Sequence, residues 1–539
     1  MNYLIETNYH CEMFKNLFKA ILIKFSIMKR LFLLISILVY LLYLTLPVNT
    51  QIIGGIEPIP FYLENSEIRL NFMYHVNKID LLSIVDKDDD HTFDVSGILW
   101  KIRLIDLTTA PNYNEITRSQ TELNCQTSYN ILNDGSAQIL YMNWLNCAVN
   151  PTNKFNLTIT VRLDENSDDS DWRIYINSEM NDYSILYHKL FFGILENPVD
   201  YIVTASGILI KNPANTFDAV SDPLIDVGSV ALPIKMIPYY TSANQGLYFW
   251  SKDDHPPHYQ SASFSSDGSR LYYGHGFYPE YIGTAGNDFN MDYDFSIGVF
   301  NGDWYTAARL YRSWALSRPW ANTLLINRND IPQFWKELDL GEHSGHFPNA
   351  NLDYEINSWT NVRNYYNATN LAVFYWGGAT NDLQAQPWSS TIIDGLDSYG
   401  IKTFFYNNPQ FVNVGLPFYT SVSSYTCRNI AGQPYIMSGI ARMDYTNTGW
   451  HNWVASRVRD NLAAVGYKGM FFEYPVADKL CYNLPNPVGG INPLDGMIDF
   501  MNEVRSEARE SYSNFILFYE YFYDYFIPVS DAAFVSSNF

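Results

Sequence analysis

The chain has 539 residues, with 56 Asp and Glu against 34 Lys and Arg and a formal net charge of −22. Such a balance repels a phosphate backbone, no basic cluster offsets it, and nucleic acid is excluded as a partner. Apolar residues make up 47% and charged residues 17%, and 13 Trp, 42 Tyr and 33 Phe supply too many core-forming side chains for a disordered protein. Aromatics with few cations suit stacking on the apolar faces of sugars, and an aromatic-rich core accounts for them equally well.

Leu31 to Leu46 form a nearly unbroken apolar run, preceded by Lys29 and Arg30 and followed by Pro47 and the polar Asn49, Thr50 and Gln51. The run reads as a secretory signal or, since no small-x-small cleavage site follows it, an uncleaved signal anchor. Met28 stands directly before the positive pair, so residues 1–27 read as an upstream extension and 1–50 as extension plus signal. No later run is comparable, so membrane contact is expected through this segment alone, and the rest is expected to be secreted or held on the far side of the membrane. Two sequons, Asn156-Leu-Thr and Asn367-Ala-Thr, agree with a secretory route as glycosylation candidates. Five cysteines are too few for a disulfide scaffold, and Cys11 lies in the extension. Cys125 and Cys147 flank the turn signal Asn133-Asp134-Gly135, but a two-residue turn centred on Asp134-Gly135 sets Cys125 opposite Trp144. A bridge there requires a bulge or a longer loop; the alternative is two buried thiols.

From 52 to 302 the apolar pattern alternates with period 2 and is broken by Asn, Asp, Gly and Pro, which predicts an all-β domain. Its clearest hairpin sets Phe155, Leu157, Ile159, Val161 and Leu163 on one face, turns at Asp164 to Asp171, and returns with Trp172, Ile174 and Ile176. Asn156 falls on the solvent side. The acidic turn lacks the Gly and terminal Glu of an EF-hand loop. Near Asp303 the period becomes 3.6: Trp304, Ala307, Ala308, Tyr311, Trp314 and Ala315 form a stripe capped by Asp303 and stopped by Pro319, in a helical connector over 303–330. From 331 to 539, short apolar strands at Leu338–Leu340, Leu371–Trp376, Ile401–Tyr406, Gly469–Phe472, Phe515–Tyr519 and Ala532–Val535 alternate with amphipathic segments. That rhythm implies parallel βαβ units, either a doubly wound sheet or a (β/α)8 barrel. No nucleotide-binding glycine motif follows any strand, so the barrel is preferred. Five strands and the start of a sixth precede Phe539, so the expected barrel is incomplete and the sequence reads as a truncated product.

Functional groups of such a barrel gather where strands end at their carboxyl side. Glu342 and His343 follow the first strand, Trp376 ends the second, Asn407 and Asn408 the third, Glu473 the fourth and Glu520 the fifth; Asp524 stands four residues further on. Glu473 and Glu520 are the candidate catalytic pair, and Glu342, His343, Trp376, Asn407 and Asp524 the candidate substrate-binding set. Two carboxylates among amides and an aromatic suffice for glycoside cleavage, one protonating the leaving oxygen while the other stabilises or attacks the anomeric carbon. Their strands are neighbours, so the carboxylates are expected close together, which favours retention of configuration. No cofactor is implied. His255 with His258, and His343 with His346, have zinc-like spacing but sit in Pro- or Gly-containing loops without a third ligand, and no metal is expected. No G-x-S-x-G elbow occurs.

Three motifs carry a resemblance: Gly246-Leu-Tyr-Phe-Trp-Ser-Lys-Asp253; Phe300-Asn-Gly-Asp-Trp-Tyr-Thr-Ala-Ala-Arg-Leu-Tyr-Arg-Ser-Trp-Ala315; and Met443-Asp-Tyr-Thr-Asn-Thr-Gly-Trp450 with Lys468-Gly-Met-Phe-Phe-Glu473. Together they resemble a largely uncharacterised family of glycoside-hydrolase-like proteins, similar to endo-α-N-acetylgalactosaminidases and more distantly to α-galactosidases. The resemblance implies a galactose-mutarotase-like β-sandwich followed by a catalytic (β/α)8 barrel, with Glu473 in the nucleophile's place, Glu520 in that of the acid/base, and carbohydrate as partner. Cys481 matches a cysteine often found shortly after the nucleophile. Cys427 and Cys481 follow neighbouring strands, so a bridge between them is open, as are two separate thiols. Glu473 replaces the expected Asp, and Tyr482 to Gly490 lacks the usual histidines. A displacement of about 1 Å at a reacting centre can cost on the order of a hundredfold, so a carbohydrate-binding protein without turnover is the alternative. A structural surface glycoprotein is the third reading.

Overall fold

The structure, a computed structural model, describes residues 58–195, 200–204, 207–216, 234–253, 260–321, 323–344, 351–375, 381–473, 481–482, 493–519 and 526–533. The apolar run at 31–46 lies outside these residues. Among the described residues no helix is long and apolar enough to cross a membrane.

Two antiparallel sheets of nine and ten strands lie face to face up to Asn301. Alternation builds them as expected: in Asn153–Asp164 the odd positions Phe155, Leu157, Ile159, Val161 and Leu163 are buried, and in Asp169–Glu179 so are Trp172, Ile174 and Ile176. The core between the sheets is aromatic, with Trp172 reaching Phe192 of the facing sheet at 6.1 Å and Phe192 reaching Phe249 at 5.3 Å. The motif beginning at Gly246 is structural. A Cβ on Gly246 would stand 2.1 Å from the Phe300 ring, and one on Gly298 2.3 Å from Tyr248, because each ring lies across the glycine it pairs with.

The hairpin carrying Cys125 has a loop two residues longer than the turn signal suggests. Asn133 pairs with Gln138, so Gln126 faces Leu145 and Cys125 comes opposite Asn146. A register irregularity between Trp144 and Cys147, with Asn146 at φ +54°, supplies the remaining step, and Cys125 and Cys147 are joined by a disulfide.

Trp304–Ala315 is a helix, and the Asp303 side chain accepts from the backbone N–H groups of Tyr305 and Thr306 at its start. Its buried stripe differs from the expected one. Trp304 and Ala308 are exposed, while Ala307, Leu310, Tyr311 and Trp314, at i, i+3, i+4 and i+7, pack on Trp250, Tyr248 and Phe300. The Gly-Asp-Trp-Tyr helix thus clamps the outer face of the ten-stranded sheet.

Beyond it, six parallel strands, Leu340–Ser344, Leu371–Tyr375, Ile401–Asn407, Gly469–Phe472, Ile516–Tyr519 and Ala532–Ala533, pair in chain order. A doubly wound sheet must reverse its strand order, and this one does not. Helices Leu352–Tyr365 and Ser389–Asp397 cover Leu371, Val373, Tyr375 and Ile401. Helices Thr448–Arg457 and Pro493–Ser511 cover the same face further along, over Phe405, Met470, Phe472, Leu517 and Tyr519. The opposite face carries Phe374, Phe404, Phe471 and Phe518 around Trp335. In a flat sheet the second and fifth strands would lie roughly 14 Å apart at about 4.8 Å per strand. Phe374 and Phe518, which belong to those strands, have ring centroids 4.9 Å apart, so the sheet curls in the sense of a barrel wall.

The sandwich and the curled sheet share a hydrophobic cluster in which Ile105, Tyr187, Tyr278 and Ile282 join Phe405, Val412, Phe472 and Phe500.

Candidate active site

Alternation decides which strand-end residues meet on the inner face. On the fourth strand Phe471 points inward among Phe404 and Phe518, while Met470 and Phe472 point to the helices. Glu473 shares Phe471's parity. On the third strand Phe404 and Tyr406 have inward parity, and the next residue of that parity is Asn408. The two are in contact: the Asn408 Nδ2 donates to Glu473 Oε2 at 3.2 Å. The other end of the Asn408 amide is also held, since its Oδ1 accepts from the Gln410 N–H at 3.1 Å. Glu473 is half-buried, and its backbone N–H donates to the Asn407 carbonyl at 3.1 Å. Asn408 rather than Asn407 therefore presents its amide to the carboxylate. Asn407 pairs with Phe472, on the helix side.

The first strand is placed differently from the expectation. It begins at Leu340, so Glu342 and His343 lie within it rather than after it. Glu342 pairs with Val373, whose side chain is in the helix-covered cluster, whereas His343 pairs with inward Phe374. Of the two, only His343 is on the face of Glu473. Partial burial lowers the His343 pKa. Glu520, Trp376 and Asp524 lie outside the described residues, as do His255, His258 and His346. The fifth strand ends in the description at Tyr519, which pairs with Phe472. Among the described residues no group of three His, Cys, Asp or Glu is placed to hold a metal ion.

The chain segments that follow the third and fourth strands are tied together. Cys427, in the excursion after the third strand, is joined to Cys481, eight residues past Glu473, by a disulfide. Next to it the Tyr482 N–H donates to the Arg428 carbonyl at 2.9 Å, and burial, with the Glu115 charge as a lesser cause, raises the Tyr482 phenol. The excursion contains a three-stranded sheet of Phe411–Asn413, Ile436–Met437 and Ile440–Arg442. The Met443 N–H donates to the Gln410 carbonyl at 2.8 Å, which ties the motif beginning at Met443 to the turn that aims Asn408. Within that motif Asp444 accepts from the Thr446 N–H and hydroxyl at 2.8 and 2.7 Å, and Asn447 caps the helix Thr448–Arg457.

The family model "Domain of unknown function (DUF6259)" matches residues 289–538. No curated protein sequence matches the chain. Among solved structures, α-N-acetylgalactosaminidase NagBb from Bifidobacterium bifidum, in its Gal-NHAc-DNJ complex, superposes with a TM-score of 0.65 at 11% identity, over 87% of this chain and 77% of that one. The fold is glycoside-hydrolase-like. Ligand-free NagBb gives a TM-score of 0.63 at 11% identity, over 87% of this chain and 79% of that one. The GH36 α-galactosidase AgaA from Geobacillus stearothermophilus gives 0.48 at 9% identity, over 89% and 75%. At 11% identity the likeness to NagBb is one of fold, and the chemistry of this chain has to be argued from its own residues.

Proposed function

We propose that the protein binds carbohydrate at the carboxyl end of the curled parallel sheet and hydrolyses O-glycosidic bonds there. The observation that carries this reading is Glu473 on the inner face at the end of the fourth strand, half-buried, with the Asn408 amide fixed on its Oε2. Ligands of barrel enzymes gather at this end of the strands. Glu473 acts as the nucleophile. Glu520 follows Tyr519, the partner of Phe472, by one residue in sequence, and serves first as acid and then as base, with retention of configuration. Passage through an oxidising, secretory compartment is part of the proposal: Cys125, Cys147, Cys427 and Cys481 are all paired in disulfides.

A panel of aryl glycosides, α-N-acetylgalactosaminide and α-galactoside included, tests the reaction, with proton NMR of the first-formed anomer reporting stereochemistry. Glu473→Gln should abolish turnover while leaving sugar binding measurable, and an activity unchanged by that substitution would end the proposal. The Glu in place of an Asp, one methylene longer, favours a second reading in which sugar is bound without hydrolysis. Binding on a glycan array with no turnover of any glycoside would select it.

A further inference from the structure

We infer that Asn367 is a site of N-glycosylation and that Tyr365 is the platform on which the first sugar stacks. The two sequons differ in their surroundings. Asn156 is inside a strand paired on both sides, directly opposite Asn177, and its Oδ1 accepts from the Asn146 N–H at 2.8 Å, so it pins the bulge next to Cys147. Asn367 instead follows the helix Leu352–Tyr365 with φ +51° and is exposed. The Ala368 N–H reaches back to the Arg363 carbonyl at 3.0 Å, and Ala368 is buried, which is the Schellman closure with its apolar anchor. The Thr369 N–H is held by Asp339 Oδ2 at 2.7 Å. The sequon is thus a rigid corner whose Asn projects into solvent.

The second observation is aromatic. Tyr365 is 83% exposed and Tyr366 61% exposed, and their rings meet edge to face with centroids 5.0 Å apart, directly before Asn367. A tyrosine left so bare forgoes the burial that normally accompanies a large ring. An amide-linked N-acetylglucosamine has apolar C–H faces that match such a ring. In the modification, Nδ2 of Asn367 forms a bond to the anomeric carbon of a lipid-pyrophosphate-linked oligosaccharide. The anomeric C–O bond breaks, the lipid pyrophosphate leaves with the electron pair, and the amide nitrogen gives up one proton. The inference rests on the secretory route argued from the disulfides, independently of any glycosidase activity.

The test uses the full chain passed through the secretory pathway of a eukaryotic host and shown by thiol titration to have its disulfides formed. Enzymatic deglycosylation in ¹⁸O-water should convert Asn367 to labelled Asp, and Thr369→Ala, which keeps Asn at the left-handed position, should abolish that label and remove one glycan's mass. Deglycosylation should also lower Tm, and Tyr365→Ala should eliminate this shift while the glycan remains attached. An unlabelled Asn367 in the oxidised, secreted chain, or label at Asn156 in its place, overturns the site. The same glycan-dependent Tm shift in Tyr365→Ala overturns the platform.

Discussion

Mild acid should weaken the sandwich, because two imidazoles are sealed in it. His188 and His275 are 0% and 1% exposed, and burial holds the pKa of each down to about 3, with the Lys189 charge adding to the effect on His275. Neutral His275 is satisfied, with one ring nitrogen 2.6 Å from the Tyr273 hydroxyl and the other 2.9 Å from Gln260 Oε1. His188 lies beside Trp100, and among the described residues neither of its nitrogens has a partner. The folded-state pKa lies below the ordinary value of 6.5. Between those limits the unfolded chain therefore binds protons that the native one refuses, and stability, full above about pH 6.5, falls as pH drops toward 3. At pH 5 each group removes about 2 kcal/mol relative to pH 7, or about 4 kcal/mol for the pair, a large part of the ~5–15 kcal/mol that holds a typical domain. Urea unfolding followed by tryptophan fluorescence at pH 7 and pH 5, with disulfides intact, measures this loss. His188→Leu should recover about half of it, since the leucine carries no titrating group. Equal stability of the wild type at the two pH values, or an undiminished pH dependence in His188→Leu, would refute the reasoning.

Three further outcomes follow from contacts described above. Asn408→Ala removes a hydrogen bond to an ionised group, worth about 1.5–3 kcal/mol, so kcat should fall roughly 10- to 100-fold with KM little changed, in steady-state assays on whichever glycoside is turned over. Opening Cys427–Cys481, which closes 54 residues of sequence separation, by a double serine substitution should cost about 4 kcal/mol from loop entropy, and opening Cys125–Cys147, with 22, about 3 kcal/mol, both readable in urea midpoints. Gly298→Ala forces a methyl to 2.3 Å from the ring of Tyr248, itself 4% exposed, and should destabilise by about 1–3 kcal/mol or more, whereas Gly268→Ala, with nothing within 4 Å of its Cβ, serves as the sterically open control despite its φ of +88°.

The parallel strands were legible because each is a short apolar run at a regular interval: Gly469–Phe472 falls where it was expected, and Leu371–Trp376 and Ile401–Tyr406 fall within one residue. The first strand was placed two to four residues early because Leu338 is apolar for another reason, packing with Trp335 on the inner face. Which face a strand-end residue takes was not legible, since parity is fixed only once a neighbour such as Phe471 is known to point inward. That is why Asn407 and Glu342 entered the expected binding set although their positions face the helices. Tyr406 and the aim of Asn408 were hidden for the same reason. The excursion from Phe411 to Arg442 went unread because strands of two and three residues carry no period. The disulfide at Cys125 depended on a loop length that the Asn-Asp-Gly signal understated.

Gly283, at φ +93° in the sandwich, leaves so little room that a Cβ there would stand 3.2 Å from both Ile430 and Tyr482. Ile430 lies three residues past Cys427 and Tyr482 directly after Cys481, the two ends of one disulfide, so a single glycine of the sandwich sets how closely the bridged loops can approach it. A larger residue at Gly283 would press on that bridged pair of loops before it met any strand of the parallel sheet.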